Sequence, residues 1–428
     1  MRNRKAIVLA AFLAITLLIP TAARAAEGRP FQDLQDQVND LRNSLISLQE
    51  RVAVLERVDP QTFALTCSST ETITDSVKFL KPGDTLLVSG TCSEQVVIPE
   101  EVHRIILDGQ GSATINGPDS TRATVEVRGN GITIKNFAAI TGGENGIFVT
   151  RGSTATIDGN TIRSTGSNGI LVSQSSSARI INNTIQNNPQ SGILVTESSS
   201  ARIGILSTED AVASPNIIQS NWDVGIIVSR SSNARIVGNT ISNNGAAGVE
   251  VNRASQADIT SNTIQNNAEI GILVNENSSA RIGILSGEDT VASPNTIQNN
   301  GEGGINVTRS SQARIVGNTI SNNTDNGVLV NRGSHADIAS NIINANTGDG
   351  IFVTRNSGAN LGEDAGTGIF DSPNTTAVNN GGFGIRCRTN SSVDGRTGSL
   401  TGGLGATSIR TGDVTVDGDC VNSVIVGF

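Results

Sequence analysis

A Gly-Ile-x-Val motif returns along this chain at intervals that an ordinary globular core does not produce. It begins at Gly146, Gly169, Gly192, Gly225, Gly248, Gly271, Gly304, Gly327, Gly350 and, in degenerate form, Gly384. The spacings are 23, 23, 33, 23, 23, 33, 23, 23 and 34 residues, so two short units and one long unit alternate in a super-repeat of 79 or 80 residues. The blocks from Ala201 to Asn216 and from Ala280 to Asn295 are near copies one super-repeat apart, which points to internal duplication. Self-similarity of this kind marks a solenoid, in which each unit buries its apolar side chains against its neighbours. Composition agrees. Of 428 residues only 36% are hydrophobic and 3% aromatic, with 47 Gly and no Tyr, too little for a large globular enzyme core.

Each short unit holds three strand-sized pieces, as in Gly225-Ile-Ile-Val228, Ala234-Arg-Ile236 and Thr240-Ile-Ser242, separated by Ser, Asn and Gly. Three strands per coil of about 23 residues make a parallel β-helix, with neighbouring coils about 4.8 Å apart. Alternation sends Ile226, Val228, Ala234, Ile236 and Ile241 inward. An Asn column precedes the second Ile of each coil, from Asn160 and Asn183 through Asn239 to Asn341 and Asn374. Asn tolerates left-handed backbone, and stacked amides hydrogen-bond from coil to coil, so this column is read as structural.

With these elements in place, the chain resembles the right-handed parallel β-helix repeat proteins of the pectate-lyase-like superfamily from Gly146 to about Ile409. Upstream, Pro82-Gly-Asp-Thr-Leu-Leu-Val-Ser-Gly-Thr-Cys-Ser-Glu94 and Ile106-Leu-Asp-Gly-Gln-Gly111 are similar to the opening coils of secreted members. The resemblance implies an all-β, right-handed, three-stranded solenoid. It does not select an activity, because the superfamily includes lyases, hydrolases, epimerases, adhesins and tail spikes. Its enzymes carry clustered Asp and an Arg beside one strand face, and related epimerases and alginate lyases use Tyr and His. Here the outward position of the Gly-Ile-x-Val strand reads Phe148, Leu171, Leu194, Ile227, Glu250, Leu273, Asn306, Leu329 and Phe352. Such a stripe is expected to be covered, by the long-coil insertions or by a neighbouring subunit.

No catalytic residue, metal ligand or cofactor site is therefore assigned. The reading is a structural or binding module that recognises a glycan or another surface. The alternative is a polysaccharide lyase or hydrolase with an atypical active site. Two charged columns remain. Five residues after each motif Gly stand Arg151, Gln174, Glu197, Arg230, Arg253, Glu276, Arg309, Arg332 and Arg355. Like charges stacked at coil spacing repel unless an anion intervenes, so Arg230, Arg253, Arg309, Arg332 and Arg355 are the candidate residues for an acidic polysaccharide. Between the inward Ala and Ile stand Arg179, Arg202, Arg235, Asp258, Arg281, Arg314 and Asp337, read as ion pairs running up the ladder. Acids before the motif, among them Asp223, Glu269, Glu302, Asp325 and Asp349, are read as a solvated edge.

Cys67 and Cys92 are 25 residues apart and Cys387 and Cys420 are 33 apart, each close to one coil. Stacked neighbours approach to about 5 Å, which suits a disulfide. Two local bonds, Cys67–Cys92 and Cys387–Cys420, are expected from three conceivable connectivities. With no Cys-x-x-Cys and only His103 and His335, zinc is the poorer reading.

Residues 1–25 read as a signal peptide: Arg2, Arg4 and Lys5, an apolar run from Ala6 to Ile19, and cleavage after Ala25. An uncleaved anchor would need about 20 apolar residues. No later segment is apolar enough to span. Removing four basic residues from the 30 Lys+Arg and none of the 39 Asp+Glu takes the formal charge from −9 to −13, which argues against nucleic acid as a partner. The protein is expected to be exported, to the periplasm, the medium or the cell surface. In residues 26–60, Phe31, Leu34, Val38, Leu41, Leu45, Leu48, Val52 and Leu55 alternate at three and four residues, a coiled-coil seam that predicts a homo-oligomer through residues 31–55. A helix folded back on the β domain would need a wider apolar stripe. Beyond the linker, residues 61–145 are assigned to N-terminal capping coils, 146–409 to the repeat coils and 410–428 to a C-terminal cap.

Overall fold

The computed structural model describes residues 35–46, 59–67, 71–205, 213–284, 292–362, 372–396, 398–407 and 424–426. The chain divides into two units, Met1–Asp59 and Pro60–Phe428. In the first, residues 35–46 are helical. The seam residues Val38 and Leu41 are exposed and Leu45 is half-buried. Phe31, Leu34, Leu48, Val52 and Leu55 lie outside the described residues, as do residues 1–25, read above as a signal peptide, and Cys420.

The second unit is a right-handed parallel β-solenoid. Its strands form three sheets: thirteen Gly-Ile-x-Val-type strands, fifteen Ala-x-Ile-type strands and eleven Thr-Ile-type strands among the described residues. All ladders between coils are parallel and join equivalents, for example Ile226 to Val249, Ile236 to Ile259 and Ile241 to Ile264. Ile226, Ile236 and Ile241 are fully buried, as alternation predicts. The core is one continuous column of Ile, Val and Ala from Leu65 to Leu400.

Each corner of the coil carries a buried polar ladder. After the Gly-Ile-x-Val strand, successive serines link coils: Ser199 N–H donates to Ser232 Oγ and Ser232 N–H to Ser255 Oγ. Before the Thr-Ile strand stands the Asn column, of which Asn239 is typical. Its Nδ2 donates to Ile203 O, Val237 O and Asn262 Oδ1, and its Oδ1 accepts from Asn216 N and Nδ2. After the Thr-Ile strand a second Asn column, Asn188, Asn221, Asn244, Asn267, Asn300, Asn323 and Asn346, repeats the arrangement. The left-handed residue at the first Asn corner is the one before the Asn: Gly159, Asn182, Gly238, Ser261, Gly317 and Ser340. The Asn column itself is not left-handed, contrary to expectation; it serves through its amide.

A short helix, Ile73–Ser76, and a 3-10 turn, Val77–Phe79, bury Ile73 and Val77 in the first coils. Glu94 caps that helix, its carboxylate accepting from Ile73 N and Thr74 N at 2.7 and 3.2 Å. Cys67 is bonded to Cys92 with Cα atoms 5.0 Å apart. The bond links the end of an Ala-x-Ile-type strand, Thr62–Thr66, to a Thr-Ile-type strand, Thr91–Ser93, so it crosses a corner rather than joining stacked equivalents. Cys387 is also disulfide-bonded. Among the described residues no helix is long and apolar enough to cross a membrane.

Replacing Asn239 by Ala strands several buried backbone and amide groups, each costing about 1–3 kcal/mol when unpaired. Urea unfolding should show a loss of at least about 2 kcal/mol, against less than about 0.5 kcal/mol for Asn233→Ala on the outer face.

Candidate functional site

Three surfaces carry the candidate residues, and each is set by the coil register. The first is the turn after the Gly-Ile-x-Val strand. Arg151, Gln174, Glu197, Arg230, Arg253, Glu276, Arg309, Arg332 and Arg355 all adopt left-handed backbone there, with φ between 52° and 59°. The structure brings the acids of this column against its bases. Arg230 reaches Glu197 at 3.3 Å, while Glu276 takes Arg253 at 3.4 Å and Arg309 at 3.0 Å. Arg230 and Arg253, which stack on adjacent coils, therefore turn in opposite directions toward separate carboxylates. An anion is not required to hold them. Arg332 and Arg355 make no ion pair among the described residues.

The second surface is the outer face of the Ala-x-Ile sheet. Arg179, Arg202 and Arg235 stand in register on three consecutive coils. The next coil supplies Asp258, which accepts from Arg281 Nε and an Nη at 2.7 and 3.0 Å and lies 3.6 Å from Arg235. This is the ion-pair ladder expected from the alternation of sign. The ladder lines one end of an open groove along the coil axis, where Gln256, Asp258 and Arg281 stand, and Ser177, Arg179, Ser200, Arg202, Asn233 and Arg235 line the rest. Hydroxyl, amide and guanidinium donors thus repeat at one per coil. Farther along, Asp337 approaches His335 Nε2 at 3.4 Å and accepts from Asn360 Nδ2 at 2.7 Å. Burial opposes its ionisation, but these contacts and Arg314 outweigh it and hold its carboxyl below the ordinary value.

The third surface is the outer Gly-Ile-x-Val face. Phe148, Leu171, Leu194, Ile227, Leu273, Leu329 and Phe352 are half-exposed in one column, with Glu250 and Asn306 among them. The flanks of the long-coil insertions lie elsewhere. Ile205 and Ala213, and likewise Ile284 and Ala292, sit between the Ala-x-Ile and Thr-Ile strands, where Ile284 and Ala292 pack on Val316. Insertion flanks at that corner do not cover the stripe. The acids Glu209, Asp210, Glu288, Asp289, Glu363 and Asp364 lie outside the described residues.

Acids expected to form a loose solvated edge are drawn together here. Burial pushes the Glu250 carboxyl up, and the charges of Asp223 and Glu276 push the same way. Burial also raises Glu269, aided by Glu302, Asp223 and Glu250. The cause is the second apolar cluster, Val224, Ala247 and Ile270 with Ile227 and Leu273, which dehydrates this patch. Scattering over two sequence positions hid the grouping. At the end of the same face Arg386 lies over Phe352 and Phe383 and 3.6 Å from buried Asp349, whose carboxyl burial raises. No cluster of three or more His, Cys, Asp or Glu placed to hold a metal is found among the described residues.

Residues 100–206, 146–284 and 274–397 match the family described as right handed beta helix region. No curated protein matches the chain in sequence. Among solved structures it is similar to a pectate lyase, with 14% identity over 85% of this chain and 81% of that one and a TM-score of 0.38. It is also similar to a periplasmic alginate epimerase, at 15% identity, 85% and 83% coverage and a TM-score of 0.44. The A-module of an Azotobacter vinelandii mannuronan C-5 epimerase aligns at 13% identity, 86% and 89% coverage and a TM-score of 0.39.

The depressed pKa of Asp337 sets the sign of one pH effect. Its ionised form is favoured by the fold, so it contributes stability above the unfolded carboxylate range and loses it as pH falls through the lowered value. Asp337→Asn should flatten that part of the acid limb when urea midpoints are compared across pH.

Proposed function

The chain belongs to the right handed beta helix family, and we propose that within it this protein is an exported, non-catalytic module whose Ala-x-Ile face holds an extended acidic glycan. The carrying observation is the axial groove lined by Ser177, Arg179, Ser200, Arg202, Asn233 and Arg235. Coils repeat every ~4.8 Å, close to the length of one extended hexose, so a polymer lying along the axis meets equivalent donors on the three consecutive coils of Arg179, Arg202 and Arg235. Guanidinium recognises carboxylate in a planar, two-pronged geometry, and the neighbouring Ser and Asn suit sugar hydroxyls. Single contacts are weak, and the polymer gains by making several at once. Arg332 and Arg355, on the turn column, are a second place where the same polymer can be held. The disulfides suit an oxidising compartment, in line with the signal-like segment ending at Ala25.

Titration with polygalacturonate and alginate oligomers tests this reading. Binding should weaken with added salt, and Arg202→Glu with Arg179→Glu should reduce affinity by about tenfold or more, since each charged hydrogen bond is worth about 1.5 kcal/mol or more. Equal binding of a neutral glucan, or no effect of the charge reversals, would refute it.

The alternative is a lyase or hydrolase with an atypical site, and Glu250, whose carboxyl burial raises, is where its acid would sit. The proposal expects no unsaturated or reducing ends from pectate, polygalacturonate or alginate, with or without calcium. Turnover abolished by Glu250→Gln would decide for the enzyme.

Self-association through residues 31–55 is part of the proposal. Exposed Val38 and Leu41 on the helix support it, because an apolar seam in water favours a partner. Leu41→Asp should lower the mass measured by light scattering without changing the β-sheet circular dichroism; an unchanged mass assigns the helix no role in assembly.

A further inference from the structure

The outward column of the Gly-Ile-x-Val face has an order that the core does not require. Read along consecutive coils, from Glu126 to Arg386, it runs Glu126, Phe148, Leu171, Leu194, Ile227, Glu250, Leu273, Asn306, Leu329, Phe352, Arg386. Glu250 is the middle member. Turned end for end about Glu250, the column meets itself with Phe148 opposite Phe352, Leu171 opposite Leu329 and Ile227 opposite Leu273. Leu194 meets Asn306, and the outermost residues, Glu126 and Arg386, carry opposite charge. Both end charges already have intramolecular partners, Arg128 and Asp349, so they favour the register rather than supply the main attraction.

We propose that two copies of this chain pair antiparallel through their Gly-Ile-x-Val faces about a two-fold axis at Glu250, held apart at neutral pH by the carboxylates there and joined as these take up protons. A two-fold contact requires one patch to complement itself, which this column does. Its nine partly exposed residues from Phe148 to Phe352 span roughly 40 Å at the coil spacing, on strands of three residues, roughly 10 Å wide. A strip of that size is about half of the ~800 Å² per partner buried by stable dimers, which suits a pairing that a change of pH can make or break. Nothing in the described insertion flanks covers it.

The centre is electrostatically unfavourable at neutral pH. Around Glu250 stand Asp223, Glu276 and Glu269, with Glu302 one coil beyond Glu269; Arg253 is the nearby base, and it is shared with Glu276. Asn252 Nδ2 donates to Glu250 at 2.6 Å, and Ile227 and Leu273 flank it on the adjacent coils. Facing carboxylates on the axis repel when both are ionised and share a hydrogen bond once one is protonated. Pairing therefore strengthens below the raised value of this group and weakens as pH rises through it.

Two measurements on the full chain test the pairing independently of glycan binding. In sedimentation of the Leu41→Asp chain, which removes association through the helix, the mass should double between neutral and acid pH, whereas adding Glu250→Gln should leave it paired at both. Under mild oxidation, Glu250→Cys should cross-link to itself, and a mixture of Leu194→Cys with Asn306→Cys, each carrying Glu250→Gln so that the faces pair at the pH of oxidation, should form the mixed dimer over either homodimer. Thr156→Cys on the Ala-x-Ile face should not. Association through the N-terminal helix does not place position 250 against its equivalent, so it cannot imitate this result. Glu250→Gln that leaves the mass of the Leu41→Asp chain unchanged at both pH values, or position 250 cross-linking no better than 156, would overturn the proposal and would mean that another segment or partner covers the face.

Discussion

Every feature of the β domain follows from coil stacking in parallel register, each residue meeting its own equivalent one coil away. Backbone hydrogen bonds fix the spacing, but a polar backbone alone does not choose the register. The choice comes from the corners. Ser199 bonds Ser232, Asn239 bonds Asn262, and Asn244 bonds Asn267, so a slip of one residue would set Asn239 against Ser261 or Thr263, break the amide ladder and bring inward Ile241 level with Thr263 or Gln265. With register fixed there, the inward Ile and Val columns fall into place without large aromatic anchors, and a chain poor in Phe and Trp still builds a dry core. The glycine that opens each coil belongs to the same constraint: a Cβ on Gly225 would come within 2.6 Å of Gly248 O and of Ile241 Cγ2.

The same constraint shapes the surface chemistry. A column offers each coil nearly the same group, so a carboxylate or guanidinium is always close to its own repeat. Where signs alternate, as at Arg235, Asp258 and Arg281, the ladder neutralises itself. Where they do not, the side chains turn away in opposite directions, as Arg230 and Arg253 do. Catalysis needs differently tuned groups at one place. The centre of the Gly-Ile-x-Val face departs from column logic, because an apolar cluster there dehydrates Glu250 and Glu269. Repetition suits recognition of something that is itself periodic.

Much of this was legible in the sequence. Periodicity assigned the three strands of each coil, the inward residues and the first Asn column, because alternation and stacking follow from spacing alone. The Cys67–Cys92 bond was also readable, although it joins two sheets across a corner. Other features needed coordinates for physical reasons. The second Asn column and the Ser column were visible as letters, but their burial depends on how the turns fold over. The ion pairs of Glu276 depend on side-chain direction at left-handed residues, which spacing does not encode. The grouping of Asp223, Glu250, Glu269 and Glu302 was obscured because turns shift these acids relative to the motif. The axial groove beside Arg179, Arg202 and Arg235 emerges only from the stacking of three coils.

If affinity arises from repetition, it should scale with the number of coils rather than depend on any one of them. The most direct measurement is calorimetric titration of long and short polygalacturonate into the full chain and into a chain lacking residues 146–224, one super-repeat that carries Arg179 and Arg202. The shortened protein should remain a folded solenoid, bind the long polymer several-fold more weakly and differ less for the short one. An affinity for the long polymer that is unchanged by the deletion would contradict the account, since binding would then reside in a single local site outside the repeated face.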